Sequence, residues 1–154
     1  MITISIKGDV IKAFKENHYD VLVHGNNCFC NWGAGIAVQM RKNFPSAFKS
    51  DQATQFGDKS KLGTYSLSET KNGTIINAYT QYKYGGGRNN ADLEAIRKVF
   101  EKINEDYSGK VICIPKIGAG LAGGDWKEIK KVINSVTPDV EIAVYYIWGR
   151  NEFI

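Results

Sequence analysis

The stretch DVLVHGNNCFCNWGAGIAVQM, residues 20–40, passes from an almost continuous apolar run through Asn, Cys and Gly into apolar residues at helical spacing. The run 20–24 reads as a strand covered on both faces, because such a strand keeps no polar alternation. After the turn GAGIA at 33–37, the residues Ile36, Ala37, Met40 and Phe44 recur every three or four positions. That spacing predicts a helix over 34–43, stopped before Pro45. A buried strand joined to a helix by a glycine turn is the repeating unit of an α/β fold. The turn also leaves backbone N–H groups unpaired at the positive end of a helix, which suits it to hold a phosphate.

Working outward, ITISIK at 2–7 alternates like an edge strand, and VIKAFKEN at 10–17 is helical in its spacing, so the chain opens β-α-β. A short helix is expected over 45–56. The β-rich runs 63–68 and 74–79, separated by KNG, predict a hairpin that interrupts the alternation. Leu93, Ile96, Phe100 and Ile103 predict a helix over 90–106 with Asn89 or Asn90 as its cap. VICIP at 111–115 reads as a buried strand. A second glycine loop, IGAGLAGG at 117–124, leads to a helix starting at Trp126 that Asp125 caps, and EIAVYYIW at 141–148 supplies the last strand. Six strands and about four helices predict a three-layer α/β/α domain spanning 1–154, with a mixed, mostly parallel six-stranded sheet. In such sheets the ligand crevice lies outside the carboxyl ends of the strands, where both glycine loops fall.

A net charge of +4 on scattered basic residues fits an anionic small ligand at least as well as nucleic acid. Three cysteines, Cys28, Cys30 and Cys113, are too few for a disulfide scaffold, so a reducing cytoplasm is expected, with a monomer as the working state. No apolar run approaches the ~18 residues of a membrane helix, and the first residues do not form a signal peptide. Cys28 and Cys30 lack CxxC spacing, and only His18 and His24 are available to complete a metal set, so no metal and no cofactor are expected.

The polar residues near the turns each carry two readings. Asp9 can accept from an exocyclic amine such as that of adenine, or simply cap the helix that follows. Asn26 and Asn27 can bond ribose hydroxyls or stabilise a turn. His24, with a reference pKa of ~6.5, can move protons or sit in the core. The second loop is neither a P-loop, which needs a Lys followed by Ser or Thr, nor a dinucleotide fingerprint.

GDV at 8–10, HGNNC…NWGAGIA at 24–37 and PKIGAGLAGGDW at 115–126 resemble, in order, three ligand-binding segments of the macrodomain family. The resemblance covers essentially the whole chain and is closest to the branch of yeast-type ADP-ribose-1''-phosphate phosphatases and terminal ADP-ribose glycohydrolases. It implies that Gly8, Asp9 and Val10 meet the adenine and that Asn26 and Asn27 lie at the distal ribose. Trp32, Gly33, Ala34, Gly35, Ile36 and Ala37 would wrap the diphosphate from one side. Ile117, Gly118, Ala119, Gly120, Leu121, Ala122 and Gly123 would hold it from the other, with Tyr146 flanking the adenosine.

Glycohydrolase members use a lysine after the TIINA-type strand and an aspartate in the second glycine loop. Here Gln81 and Ala122 stand at those places, with Lys83 two residues beyond Gln81. Phosphatase members carry a histidine that His24 matches. The resemblance therefore implies hydrolysis of the phosphate of ADP-ribose-1''-phosphate without a metal, with His24 transferring a proton and Asn27 orienting the ribose. Two other readings stay open. One is a module that binds ADP-ribose or ADP-ribosylated protein, or cleaves the adduct. The weakest is a nucleic-acid binder, suggested by QYKYGGGRNN, whose segment 84–90 is the flexible-looking stretch.

Overall fold

The computed structural model describes residues 1–16, 18–85, 89–120 and 122–147. The elements are β1 (Ile2–Lys7), α1 (Val10–Lys15), β2 (Val21–Asn26), α2 (Ile36–Asn43), α3 (Pro45–Gln52), β3 (Tyr65–Thr70), β4 (Gly73–Tyr79), α4 (Leu93–Asp106), β5 (Val111–Ile114), α5 (Trp126–Val136) and β6 (Glu141–Tyr146). One 3-10 turn lies at Lys59–Lys61.

The six strands lie in the order β1-β6-β5-β2-β4-β3. Every neighbouring pair is parallel except β3 with β4, which form the expected hairpin. Side-chain alternation splits the core across the sheet. On one face Val21, Val23, Ile76, Ile112 and Val144 pack against Ile96, Val99 and Phe100 of α4 and Ile129 and Ile133 of α5. On the other, Leu22, Ile75, Cys113 and Ala143 meet Val10 and Phe14 of α1, Met40 of α2 and Ala47 of α3. This is the three-layer α/β/α arrangement read from the sequence.

Boundaries shift where long-range pairing overrides local preference. Helix α4 is capped by Asp92, whose Oδ1 accepts from Ala95 N at 2.9 Å, rather than by Asn89 or Asn90. The expected cap residues lie outside the helix, where Ala91 bridges Gln81 and Asn90 N–H donates to the Ala122 carbonyl at 2.7 Å. Leu93 is accordingly exposed and the buried stripe begins at Ala95 and Ile96. Helix α3 ends at Gln52, short of 56, where Thr54 folds back to donate from N and Oγ1 to the Asp51 carbonyl. Asp125 caps α5 as expected, its Oδ1 accepting from Lys127 N at 2.9 Å. Strand β6 stops at Tyr146; Trp148 of its expected range lies outside the described residues. Among the described residues no helix is long and apolar enough to cross a membrane.

Candidate functional site

The strand order sets a linear coordinate along the carboxyl edge of the sheet. At one end, over β1, β6 and β5, a cavity of about 910 Å³ is walled by Gly8, Asp9, Val10, Tyr145 and Tyr146 and floored by Pro115 and Lys116. Its far wall is helix α2, through Gly35, Ile36, Gln39 and Asn43. That volume lies within the range of small-molecule sites. Of the residues expected from the sequence, it joins Gly8, Asp9, Val10, Gly35, Ile36 and Tyr146.

The capping reading of Asp9 holds. Its Oδ1 caps α1, accepting from Ile11 N at 2.9 Å and Lys12 N at 3.4 Å, while the residue still lines the cavity. Tyr145 is pinned behind the wall by a 2.6 Å hydroxyl contact with Tyr19. The ring of Tyr146 carries Lys116 Nζ 4.8 Å from its centroid.

The first glycine turn stands at a helix start, as expected. Gly35 precedes α2 at φ 63° and ψ −147°, a conformation open essentially to glycine alone, and no side chain caps the helix. The first bond there is Val38 N–H to the Gly35 carbonyl at 3.3 Å, so the helix-end amides before it have no helical acceptor. Gly33 and Ala34 are exposed and Ala37 half-buried in the same turn, beside the cavity rather than among its lining residues.

The second loop departs from its expected form. It does not open directly into a helix N-terminus; it closes on itself. Ile117, Ala119, Gly123 and Gly124 spend their N–H groups on Pro115, Lys116, Gly120 and Gly118 carbonyls. Gly124 must be glycine, since a Cβ there would stand 2.5 Å from the Gly118 oxygen. Among the described residues the Gly118 and Gly120 amides have no such internal acceptor. Ile117 and Ala122 are buried, and Leu121 lies outside the described residues.

Two residues expected at the ligand have their side chains bonded within the frame. Trp32 is buried, with Nε1 donating to Asp51 Oδ2 at 2.7 Å, so its indole N–H is spent on a core carboxylate. Asn27 braces its own loop: Nδ2 donates to the Asn31 carbonyl at 2.9 Å, and Oδ1 accepts from Phe29 N at 2.9 Å and Asn31 N at 3.3 Å.

His24 is completely buried. Asn77 Nδ2 donates to the Ala47 carbonyl and to Ser66 Oγ, which orients Asn77 Oδ1 toward His24 Nε2 at 2.7 Å. Nε2 therefore carries the proton and Nδ1 is bare, packed edge-on against Trp32 without a partner among the described residues. Burial drives its pKa down to about 4 against an opposing pull from the Asn77 bond. Proton transfer to a bound ligand by His24, expected from the sequence, is not what this placement provides; the ring is a neutral brace between β2 and β4.

This burial has a measurable sign. The unfolded chain takes up the His24 proton near pH 6.5, while the folded chain resists until about pH 4. Stability is then full above pH 6.5 and falls as the pH drops toward 4, by about 3 kcal/mol from this residue. Denaturant titrations of the wild type and His24→Gln between pH 7 and 5 are expected to show the steeper loss in the wild type. Parallel curves would mean that the ring protonates freely.

Beyond the glycine turns, over β2 and β4, two polar atoms are buried without a partner among the described residues, Asn26 Oδ1 and Thr80 Oγ1. Sequence reasoning had no reason to choose Thr80. It also missed Lys12, Lys15 and Lys116, which bring positive charge to the cavity. Lys12 was findable, because it follows Asp9 at a spacing of three, and Lys15 follows Lys12 by the same step.

A macro domain family model matches residues 23–133. A 17.5 kDa protein of Enterobacteria phage T4 is 34% identical, covering 94% of this chain and 96% of its own. The ADP-ribose 1''-phosphate phosphatase of Meyerozyma guilliermondii is 28% identical, covering 92% and 97%. The DNA ADP-ribosyl glycohydrolase of Mycobacterium tuberculosis is 26% identical over 94% of this chain but only 42% of its own. Among solved structures, the macrodomain of Thermus aquaticus DarG superposes with a TM-score of 0.72 at 21% identity, covering 94% of this chain and 97% of that one. With the six-stranded α/β/α sheet and its two glycine turns already established, the match across residues 23–133 places this chain in the macrodomain family.

Proposed function

We propose that the chain binds ADP-ribose along the carboxyl edge of its sheet and hydrolyses ADP-ribose-1''-phosphate to ADP-ribose and phosphate. The observation that carries this reading is the single track formed by the Asp9–Tyr146 cavity, the uncapped start of α2 and the buried Asn26 and Thr80 beyond it. Adenosine fills the cavity, with the base amine at Asp9. The diphosphate lies against the amides of α2 and of the second loop, where helix-end and loop N–H groups favour anions. The terminal ribose then falls over β2 and β4.

In the reaction a water oxygen bonds to phosphorus, the bond from phosphorus to the ribose oxygen breaks, and that oxygen takes a proton. Phosphoryl transfer asks mainly for positioning and for donors to the charge on the non-bridging oxygens, which the turn amides supply. The buried His24 takes no part in the proton's path; its bond to Asn77 keeps the ends of β2 and β4 in register beneath the ribose. The likeness to yeast phosphatases supports the choice of leaving group. So does Ala122, whose buried methyl stands where adduct hydrolases carry an aspartate.

The test is to incubate the purified chain with ADP-ribose-1''-phosphate in the presence of chelator and follow inorganic phosphate. Release of phosphate is expected, with ADP-ribose as the other product. Tight ADP-ribose binding with no phosphate release would reduce the protein to a binding module.

A further inference from the structure

Past the terminal-ribose end of this track the surface changes character. Four aromatic rings from three separate segments meet there. Phe29 follows β2, Phe56 follows α3, and Tyr82 and Tyr84 follow β4. The Phe29 ring lies 5.4 Å from Phe56, 4.9 Å from Tyr82 and 6.4 Å from Tyr84, each contact edge-on. Phe56 is 67% exposed and Tyr84 51%, the two most exposed aromatic residues among those described.

The cluster is fixed rather than draped. Gly57 N–H donates to the Cys28 carbonyl at 2.7 Å, Cys28 N–H to the Tyr82 carbonyl at 3.0 Å, and Tyr82 Oη to the Gly57 carbonyl at 2.9 Å. It is also continuous with the site. Asn27 Oδ1 accepts from Phe29 N, and Thr80 N–H donates to the Asn26 carbonyl, so Phe29 and Tyr82 stand two or three residues along the chain from Asn26, Asn27 and Thr80.

A substrate that carries only a phosphate on its terminal ribose has no use for such a rim. Phe29 packs edge-on against its three neighbours, and stacking against an aromatic face is how unpaired bases are gripped. The charge is complementary: Lys59 Nζ sits 5.3 Å from the Tyr82 ring, and Lys83 lies between the two tyrosines in sequence. An apolar side chain of a protein would gain from the rings but not from these cations.

We infer that Phe56 and Tyr84, backed by Phe29 and Tyr82 and flanked by Lys59, form a stacking subsite for unpaired bases. The ligand it adds to the proposed function is a single-stranded nucleic acid presented beside the terminal ribose. The inference rests on that reading only for the placement of the ribose; the subsite itself stands on the rings. It agrees with the likeness to a DNA ADP-ribosyl glycohydrolase without depending on it.

The probe is a fluorescently labelled ten-nucleotide single-stranded DNA of mixed sequence, titrated by anisotropy at low salt with the full chain. The wild type is expected to bind it more tightly than the same sequence as a duplex. The double variant Phe56→Ser with Tyr84→Ser, altering exposed side chains only, is expected to lose at least about tenfold in affinity for the single strand, since each stacked base is worth ~1–3 kcal/mol. Calorimetry on the same samples is expected to show unchanged affinity for free ADP-ribose. Wild-type affinity retained in the double variant overturns the subsite, as does an acidic peptide bound as tightly as the oligonucleotide, which would assign the rim to protein. If the wild type binds the oligonucleotide through these rings but not ADP-ribose, the proposed function fails while the subsite stands.

Discussion

Gly35→Val is expected to weaken ADP-ribose binding by about a hundredfold or more, measured by calorimetry, while leaving the far-ultraviolet circular dichroism close to that of the wild type. Gly35 sits at φ 63° and ψ −147° immediately before α2. A side chain in that region costs of order 1–3 kcal/mol, and the backbone escapes by rotating away. The rotation re-aims the first amides of α2, which meet the charged diphosphate in the proposed complex. A hydrogen bond to a charged group is worth about 1.5–3 kcal/mol, so losing one or two of them reaches a hundredfold. An affinity within threefold of the wild type would show that the diphosphate is held elsewhere.

Asp51→Ala is expected to have the largest effect on stability, about 3–5 kcal/mol in denaturant unfolding. Asp51 is fully buried on α3, and its two oxygens take the Trp32 indole N–H at 2.7 Å and the Tyr79 hydroxyl at 2.5 Å. Removing the carboxylate strands both donors in the core, at roughly 1–3 kcal/mol each, and adds a small cavity. For a domain of this size the melting temperature should fall by about 10 °C. Trp32 is also the ring against which His24 packs, 5.0 Å away, so the glycine turn that begins beside it loosens too. A melting temperature within a degree or two of the wild type would mean that Trp32 and Tyr79 find other acceptors.

Local signals carried most of the architecture. The stripe of Ile96, Phe100 and Ile103, the Asp125 cap and the KNG turn each fix an element through neighbours within a few residues, and each is visible in the chain. What failed to show were choices made by distant partners. Asn89 and Asn90 look like helix caps until Ala91 is seen bridging Gln81. The site divides in the same way. The positions of Asp9, Gly35 and Ile36 beside the cavity were legible because a strand end and a helix start fix them. Trp32 and His24 were misplaced because Asp51 and Asn77, which draw them inward, lie 19 and 53 residues away. Nothing in PSAFKSDQ marks Asp51 as the carboxylate that turns into the core rather than toward solvent. The aromatic rim was equally hidden, since Phe29, Phe56 and Tyr84 belong to separate loops that only the strand order gathers.

That order also dictates when the site comes into being. Strand β6 lies between β1 and β5, so β1 has no other partner in the sheet, and Ile2 pairs with Ile142. During synthesis β1 emerges first and must wait for nearly the whole chain before it is zipped into place. The hairpin, β2 and β5 can assemble earlier, carrying both glycine turns and the aromatic rim. The cavity walled by Gly8–Val10 and Tyr145–Tyr146 is completed only by that final insertion. A nascent chain released before Glu141 would therefore present half a track, and ligand added during refolding should act late, by trapping the inserted strand rather than by speeding its arrival.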